Sequence, residues 1–384
     1  MAMKAATEDV ARAERTGEVI PLAQPYLNGR EIELVTEVIS SGRLSLGPML
    51  TRFEQDFARF VGTEHAVAVA NGTTGLHVGA ITAGWGPGDE VITSPFSFIA
   101  SPNVITYVGA DVVFADIDPD TFNMDPAAVD AAVTERTRGI LPVHIFGYSA
   151  DMDPMLATAA RHDLTIVEDA CEALGASYKG QTVGATGNPA VFAFYANKQM
   201  TTGEGGMMVT DDAELAERWR SLINQGRADS GLWLAHDVLG YNYRLSDVAS
   251  AIGVAQLEKL PGMLAMREQV AAEYDRLLSS VQGVSTPYRG DETRSWFVYV
   301  VLLDEAVDRN AVMERLNSRG VQCKPYLPCL HTQPVYLERG FKPGMFPVAE
   351  SISARSLALP FFPTLSPGAQ QRVVNELASA IADS

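Results

Sequence analysis

Short apolar runs alternate with helix-like segments through the first half of the chain. The runs HAVAVA, DEVITS, ADVVFADI, RGILPVHIF and LTIVEDA are apolar almost throughout, which predicts buried strands. Helical spacing marks the intervening segments SPNVITYVG, DPAAVDAAVTER and DMDPMLATAARHD. Strands of this kind that alternate with helices predict an α/β fold with a mostly parallel sheet. Because such sheets bind ligands at the carboxyl ends of their strands, the chemistry is expected where the strands stop.

The pattern changes near Ser246, where a long helical stretch begins. Pro261 lies inside this stretch and is expected to break or kink it. A strand, SWFVYVVLL, and a helix, DRNAVMERLNSRG, follow and indicate a smaller α+β unit. We therefore expect an N-terminal arm over 1–20, a large α/β domain over 21–250 and a small C-terminal α+β domain over 251–384.

Composition narrows the possible partners. The 384 residues are 47% hydrophobic and 20% charged, with a formal net charge of −18, as in an ordinary globular protein of acidic surface. Such a surface repels phosphate backbones, so nucleic acid and anionic membranes are poor candidate partners. The three cysteines and six histidines show no metal-site or disulfide spacing, so no metal is expected. No apolar run approaches the length of a membrane span, and we expect a cytoplasmic protein.

Two strand ends carry features that suit a phosphorylated planar ligand. NGTTG lies between a strand and a helix, so that Gly72, Thr73 and Thr74 would offer N–H and hydroxyl donors to an anion. An ordinary helix N-cap explains the same letters. Phe98, in SPFSFIAS, follows the next strand and would cover the face of a flat ring, or else pack in the core.

Two further strand ends carry an acid and an amine. Asp169 ends the strand IVEDA, where it would keep a ring nitrogen protonated or simply cap the following helix. Lys198, in FAFYANKQMTTGEGG, is either a solvated surface lysine or an amine that condenses with an aldehyde. A phosphate loop, an aromatic cover, an acidic ring partner and an amine are together what pyridoxal phosphate requires.

The chain also resembles the nucleotide-sugar aminotransferases of the DegT/StrS type, which have fold type I. The resemblance runs from about Pro21 to Pro363 through SGRLSLGPMLTRFE, NGTTGLH, SPFSFIAS, VHIFGYSADMDP, VEDACEALGA, FYANKQMTTGEGGM, GYNYRLSDV and FPVAESISARSLALPFFP. It implies a large, mostly parallel sheet of the seven-stranded type, pyridoxal phosphate as the cofactor, and a homodimer with shared active sites.

The resemblance also implies residue roles. Lys198 matches the Schiff-base lysine, Asp169 the partner of the pyridine nitrogen, and Phe98 the stacking aromatic. The phosphate loop matches Gly72, Thr73 and Thr74, and Asn242 matches an asparagine that reaches the cofactor phosphate of the neighbouring subunit.

Two positions bear on the subgroup and on cofactor affinity. Glu172, another implied cofactor contact, stands where many relatives have glutamine or histidine. A glutamate there, together with GYNYRLSDV, looks most like the perosamine-synthase-like 4-aminotransferases. Ala193 stands where the family often has a serine that helps to hold the phosphate. Its missing hydroxyl predicts weaker cofactor binding, unless a water substitutes.

Candidate substrate contacts are Lys324 and His331 in CKPYLPCLHTQPVY, which is otherwise a proline-rich surface loop, and Arg43 and Ser45 in SGRLSLG. The predicted activity is transfer of an amino group from an amino acid, L-glutamate by resemblance, to a nucleotide-linked keto-deoxysugar, with the 4-keto position favoured. Alternatives are a cyclitol or other non-nucleotide ketone as acceptor, a sugar dehydratase of the same fold, and a non-catalytic sensor that binds pyridoxal phosphate. The resemblance implies that such dehydratases have histidine where this chain has Lys198, so Lys198 argues against this alternative.

Overall fold

A computed structural model describes residues 19–227 and 235–383. Its helices are α1 (Gly29–Ser41), α2 (Pro48–Val61), α3 (Gly72–Thr82), α4 (Ala100–Tyr107), α5 (Pro126–Ala131), α6 (Met152–His162), α7 (Ala213–Ile223), α8 (Asp247–Leu278), α9 (Arg309–Ser318), α10 (Pro334–Leu337), α11 (Pro347–Arg355) and α12 (Pro367–Ala382). Its strands are β1 (His65–Val69), β2 (Glu90–Thr93), β3 (Asp111–Phe114), β4 (Thr137–Leu141), β5 (Thr165–Ile166), β6 (Glu168–Asp169), β7 (Ser177–Tyr178), β8 (Gln181–Thr182), β9 (Ala190–Ala193), β10 (Gly206–Thr210), β11 (Val284–Ser285), β12 (Tyr299–Leu303) and β13 (Ser356–Leu359).

The large sheet is built from two four-stranded halves. One half has the order β1-β10-β9-β6 and the other has the order β3-β2-β4-β5. They join because β5 and β6 follow one another with only Val167 between them, and because Val143 forms a parallel bridge to Asp169. Counting β5 and β6 as one strand gives seven positions, in which only β10 pairs antiparallel with its neighbours. The predicted α/β fold with a mostly parallel seven-stranded sheet is therefore confirmed.

The strands of this sheet are buried because they are apolar on both faces. All of β2 and β10 is buried, as is β1 after its first residue. Helices cover both faces, and α3 is itself buried along most of its length by Leu76, Val78 and Ala80. The sheet therefore holds the strand ends, where the candidate residues lie, in a rigid frame.

Helix α8 connects this sheet to a second, antiparallel sheet. It begins at Asp247 and continues to Leu278 as one helix, so the expected break at Pro261 is wrong, while the expected kink stays a prediction. Pro261 faces solvent, while its neighbours Leu260 and Met263 are buried, so packing on the inner face holds the helix together.

The second sheet has the order β11-β12-β13 and lies after α8 in the chain. Its apolar side chains form a core with those of the second half of α8 and of α12, including Tyr274, Tyr299 and Leu377. The predicted division at residue 250 falls within α8 and stays a prediction, and most of the predicted arm, residues 1–18, lies outside the described residues. Within the described ranges, none of the helices has the length and apolar character needed to cross a membrane.

Candidate active site

A cavity of about 550 Å³ lies at the strand ends of the large sheet. Its lining is formed by Asn71, Gly72, Thr73, Thr74, Leu76, Phe98, Ala100, Val143, Asp169, Cys171, Glu172, Ala193, Tyr195, Asn197, Lys198, Glu204, Gly205, Phe297, Tyr326 and Leu327. All of the residues predicted to contact the cofactor from within one chain are in this set. The predicted cofactor contacts span 126 positions of the sequence, from Gly72 to Lys198, and the structure brings them to one cavity.

The turn before α3 forms one end of the cavity. Asn71 is the N-cap of the helix: its side chain accepts from the N–H of Thr74 at 2.9 Å. The Thr74 hydroxyl donates to the Asn71 carbonyl at 2.8 Å and is therefore already used. The N–H groups of Gly72 and Thr73 have no acceptor within the helix, because the first turn of any helix lacks them. These two N–H groups and the Thr73 hydroxyl are the donors left for an anion.

Gly72 lies against the neighbouring strand. A Cβ atom built on it would stand 2.8 Å from Ala193 Cβ and 2.8 Å from Cys171 Sγ. No larger side chain fits at this position without moving one of these neighbours. Gly72 therefore keeps the start of α3 close to β9, and the N–H groups keep their place at the wall of the cavity.

Asp169 is buried and firmly oriented. Its carboxylate accepts from the Ser101 hydroxyl at 2.7 Å and from the Cys171 N–H at 3.1 Å. Only 5% of its surface is exposed. Burial and the nearby Asp169 carboxylate raise the pKa of the Cys171 thiol, which also lines the cavity. These two donors hold the Asp169 carboxylate in one orientation at the wall of the cavity.

Phe98 differs from most large apolar residues of the chain in being exposed. It lines the cavity with 61% of its surface accessible, so that it is not the core aromatic that the sequence also allowed. The ring is therefore available to a flat ligand.

Lys198 is mostly buried and has defined partners. Its Nζ donates to Glu172 Oε1 at 3.3 Å and lies 3.8 Å from the centre of the Phe297 ring. The other Glu172 oxygen accepts from the Phe146 N–H at 3.1 Å. Only 13% of the Lys198 side chain is exposed, which excludes a freely solvated lysine. The structure thus directs the amine into the cavity.

The sequence did not indicate Phe297 and Tyr326 as parts of this site. Both come from the last third of the chain. Phe297 lies near no motif that suggests a cavity, whereas Tyr326 lies in CKPYLPCLHTQPVY, where only Lys324 and His331 were considered. Burial and the Glu172 carboxylate raise the pKa of the Tyr326 phenol. Asn71 and Glu204, by contrast, lie inside motifs that the sequence had marked, and their positions next to predicted residues were the available signal.

Other predicted contacts lie outside the cavity. Asn242, Arg43, Ser45 and Lys324 are exposed and are not part of its lining. His331 is fully buried and forms a hydrogen bond with Glu350 Oε1 at 3.0 Å. Its predicted contact with the substrate is not supported by this position, because the imidazole is fully buried and does not line the cavity.

The fold and the site together describe an α/β protein with one ligand cavity. Around this cavity lie the N–H donors at the start of α3, a buried acid, an exposed aromatic ring and a lysine. A family model, the DegT/DnrJ/EryC1/StrS aminotransferase family, matches residues 25–378. The chain belongs to this family, which confirms the predicted family and the aminotransferase class.

Individual relatives agree over almost their whole length. A GDP-perosamine synthase of Caulobacter vibrioides is 39% identical over 363 residues, which cover 93% of this chain and 97% of the relative. The structure of S. venezuelae DesV in complex with a ketimine intermediate has a TM-score of 0.87 at 35% identity and covers 94% of this chain and 98% of its own. The PLP form of a putative sugar aminotransferase, Spr1654 from Streptococcus pneumoniae, has a TM-score of 0.91 at 26% identity, with 95% and 99% covered. Pyridoxal phosphate as the predicted cofactor is thereby confirmed.

Proposed function

We propose that this chain transfers an amino group from an amino acid, L-glutamate first among them, to a nucleotide-linked keto-deoxysugar, with the 4-keto position favoured. The single observation that carries the proposal is the convergence of Lys198, Asp169, Phe98 and the start of α3 on one cavity. The 39% identity to a GDP-perosamine synthase supports a nucleotide sugar as the acceptor.

The residues of the cavity fit pyridoxal phosphate by their chemistry. The free N–H groups of Gly72 and Thr73 suit its phosphate, and the exposed Phe98 ring suits its ring face. The twice hydrogen-bonded Asp169 suits a protonated ring nitrogen, and the Lys198 amine suits the aldehyde. The 550 Å³ cavity also has the volume of an ordinary small-molecule site.

When bound, the cofactor supplies an electron sink that accepts the pair left at the α-carbon of the amino donor. Lys198 is the group placed to take the proton from the α-carbon of the amino donor and later to return one. Its amine is in the cavity, and its neighbours hold it there. Asp169 is oriented by its two donors and would pair with a positively charged ring nitrogen opposite it. Glu172 bonds both the Phe146 N–H and Lys198, and so sets the direction of the amine.

A homodimer with shared sites remains part of the proposal. Asn242 is exposed, forms a bridge to Asn224 after α7 and does not line the cavity, as expected of a residue that serves a second subunit. Exposed apolar side chains near the N-terminus, Ile32, Ile39, Leu44 and Leu46, are from 51% to 62% accessible and suit burial against another copy. The roles of Arg43, Ser45 and Lys324 in substrate binding, and the cytoplasmic location, stay predictions.

The test uses purified protein with pyridoxal phosphate and L-glutamate. Candidate acceptors are GDP-, UDP- and dTDP-linked 4-keto-6-deoxysugars, a 3-keto isomer and a cyclitol ketone. We expect equal amounts of 2-oxoglutarate and amino sugar with one of the nucleotide-linked 4-ketosugars, with the new C–N bond located by NMR. Turnover with the cyclitol ketone alone would refute the nucleotide-sugar acceptor, and the absence of 2-oxoglutarate with every acceptor would favour a non-catalytic sensor.

Lys198→Ala tests the central assignment, and Lys179→Ala is its matched control. Lys179 is an exposed lysine that pairs with Asp153 and does not line the cavity. We expect Lys198→Ala to lose turnover and the visible absorbance of bound cofactor, and Lys179→Ala to keep both. Normal transamination by Lys198→Ala would overturn the assignment.

A further inference from the structure

Arg267 is a buried cation close to the candidate active site. It projects from α8 with only 3% of its surface exposed. Its Nη1 donates to the carbonyl oxygens of Trp296 at 3.1 Å and Phe297 at 3.3 Å. Its Nη2 donates to the carbonyl oxygen of Lys198 at 3.1 Å. All three acceptors are main-chain carbonyls, and two of them belong to residues that line the cavity.

This arrangement is costly for stability. In the part of the chain that the structure describes, no carboxylate forms an ion pair with Arg267, and its Nε has no hydrogen-bond partner. Burial lowers the pKa of Arg267 to about 10. An apolar side chain of similar volume is often as stabilising as a buried charged group, or more so. The Phe361 ring lies 5.6 Å from the Arg267 Cζ and is a further favourable contact. Stability alone does not require a charge here, so the three carbonyls that the guanidinium holds are the feature to explain.

The carbonyls belong to two separate segments that meet at the lysine. One is the loop after β9 that carries Lys198, and the other is the segment before β12 that carries Phe297. The Phe297 ring lies 3.8 Å from Lys198 Nζ. A single guanidinium therefore fixes the backbones on both sides of this contact. Its planar, rigid donor fork sets their separation more narrowly than a flexible ammonium would.

Neighbouring contacts brace the same two segments without contacting Lys198 itself. The Gln199 side chain donates to the Ser295 hydroxyl at 2.9 Å. Gln256, also on α8, accepts from the Thr201 N–H at 3.2 Å. These bonds hold the flanks of the loop, whereas Arg267 bonds the lysine residue directly.

We propose that Arg267 is a positioning residue that sets where the Lys198 amine stands relative to Phe297 and the cavity. The inference rests on the proposed function, in which Lys198 moves protons in both halves of the reaction. A residue that positions this lysine affects both halves by the same factor, whereas a residue that contacts one substrate affects only the half that uses it.

The test compares Arg267→Met and Arg267→Lys with the matched control Arg294→Met. Arg294 is partly exposed as a residue, but its Nε, like that of Arg267, is buried without a hydrogen-bond partner, and burial lowers its pKa to about 10. Its Cζ lies 4.9 Å from the Trp296 ring, but it does not bond Lys198. The control thus removes a buried charge from the same neighbourhood while leaving the lysine backbone held.

Each variant, loaded with pyridoxal phosphate, is followed in single turnovers with L-glutamate and, in the aminated form, with the nucleotide-linked ketosugar that the wild-type protein aminates. We expect both rates to fall by a similar factor in Arg267→Met, roughly 10- to 100-fold, because a small displacement of a reacting group has that effect. Arg267→Lys should lose less, and Arg294→Met should stay within about twofold of wild type. The pH profile of the visible absorbance of bound cofactor should move in Arg267→Met and not in the control.

Three results would overturn the proposal: wild-type rates in folded Arg267→Met, a fall in only one half-reaction, or an unmoved absorbance profile. If Arg267→Met does not fold, Arg267→Lys decides, and wild-type behaviour of that variant refutes the proposal. The absorbance profile needs no amino acceptor. It therefore still tests Arg267 if the wild-type protein shows no transamination, so failure of the proposed function is recognised separately.

Discussion

The close approach of Gly72 to β9 leads to a prediction with a built-in control. Gly72 is the first residue of α3 after an Asn N-cap, and Gly29 is the first residue of α1 after an Asn N-cap. A Cβ on Gly72 would meet Ala193 and Cys171 at 2.8 Å, while a Cβ on Gly29 would meet nothing within 4 Å. Alanine at the two positions therefore differs in packing and hardly at all in helix propensity.

The magnitude follows from these two effects. Alanine in place of glycine stabilises a helix by up to about 1 kcal/mol, and this gain applies to both variants. Overpacking costs about 1–3 kcal/mol and applies only to Gly72→Ala. The free energy of unfolding of Gly72→Ala should therefore lie about 1–3 kcal/mol below that of Gly29→Ala. Relief of the clash moves the start of α3 away from β9, so the affinity for pyridoxal phosphate should fall about tenfold, which corresponds to about 1.4 kcal/mol.

Urea denaturation of the cofactor-free proteins measures the stability difference, and titration with pyridoxal phosphate measures the affinity. Adding Cys171→Ala to Gly72→Ala removes one of the two close contacts and should recover part of both losses, relative to Cys171→Ala alone. The reasoning is refuted if the two glycine variants differ in stability by less than about 0.5 kcal/mol, which is the usual effect of an unstrained surface change. Equal cofactor affinity in both variants would show that α3 is not positioned by this contact.

Three further predictions concern the cavity wall and the packing of the helices. Because burial and Asp169 raise the pKa of Cys171, its thiol should stay protonated at neutral pH and react slowly with iodoacetamide, and rapid alkylation at pH 7 would contradict this. Ala193→Ser adds a hydroxyl at the wall of the cavity and should tighten pyridoxal phosphate binding by about 1–3 kcal/mol, measured by titration; unchanged affinity would show that water already fills the place. In Gly47→Ala the new Cβ would meet the Asp247 carboxylate inside normal contact distance, so the melting temperature should fall, whereas Gly86→Ala, with open space around it, should not lower it in this way.

The strand-end residues were predictable because their positions follow from the sheet alone. Asp169 ends a buried strand, and Gly72 and the loop of Lys198 each follow one; parallel strands bring such positions to one edge. The one reversed strand, β10, was not anticipated. It pairs antiparallel with β9 because the connection 194–205 contains no helix that would carry the chain back across the sheet. That short return is also what places Lys198 at the strand ends.

The environment of the lysine was not predictable from local pattern. Phe297 and Tyr326 enter the cavity from segments that follow α8, and their place depends on how the second sheet packs. For His331 the sequence suggested a contact that the structure does not support. A histidine in a proline-rich loop looked available to a substrate, but tertiary packing buries it completely. Pro261 misled for a related reason, since the buried face of α8 outweighs the local preference of one exposed proline.

Helix α8 explains how these two parts of the site are kept in register. From one continuous helix, Gln256 holds Thr201 and Arg267 holds Lys198 of the large-sheet loop, and Arg267 also holds Phe297 from the second unit. A break at Pro261 would fall between Gln256 and Arg267 and would separate the two anchors. The unbroken course of the helix is thus what lets residues from both sides of it form one cavity around the amine. The positions of Asp169 and of the start of α3 depend on the strand ends of the large sheet. The position of Lys198 depends also on α8 being one continuous helix.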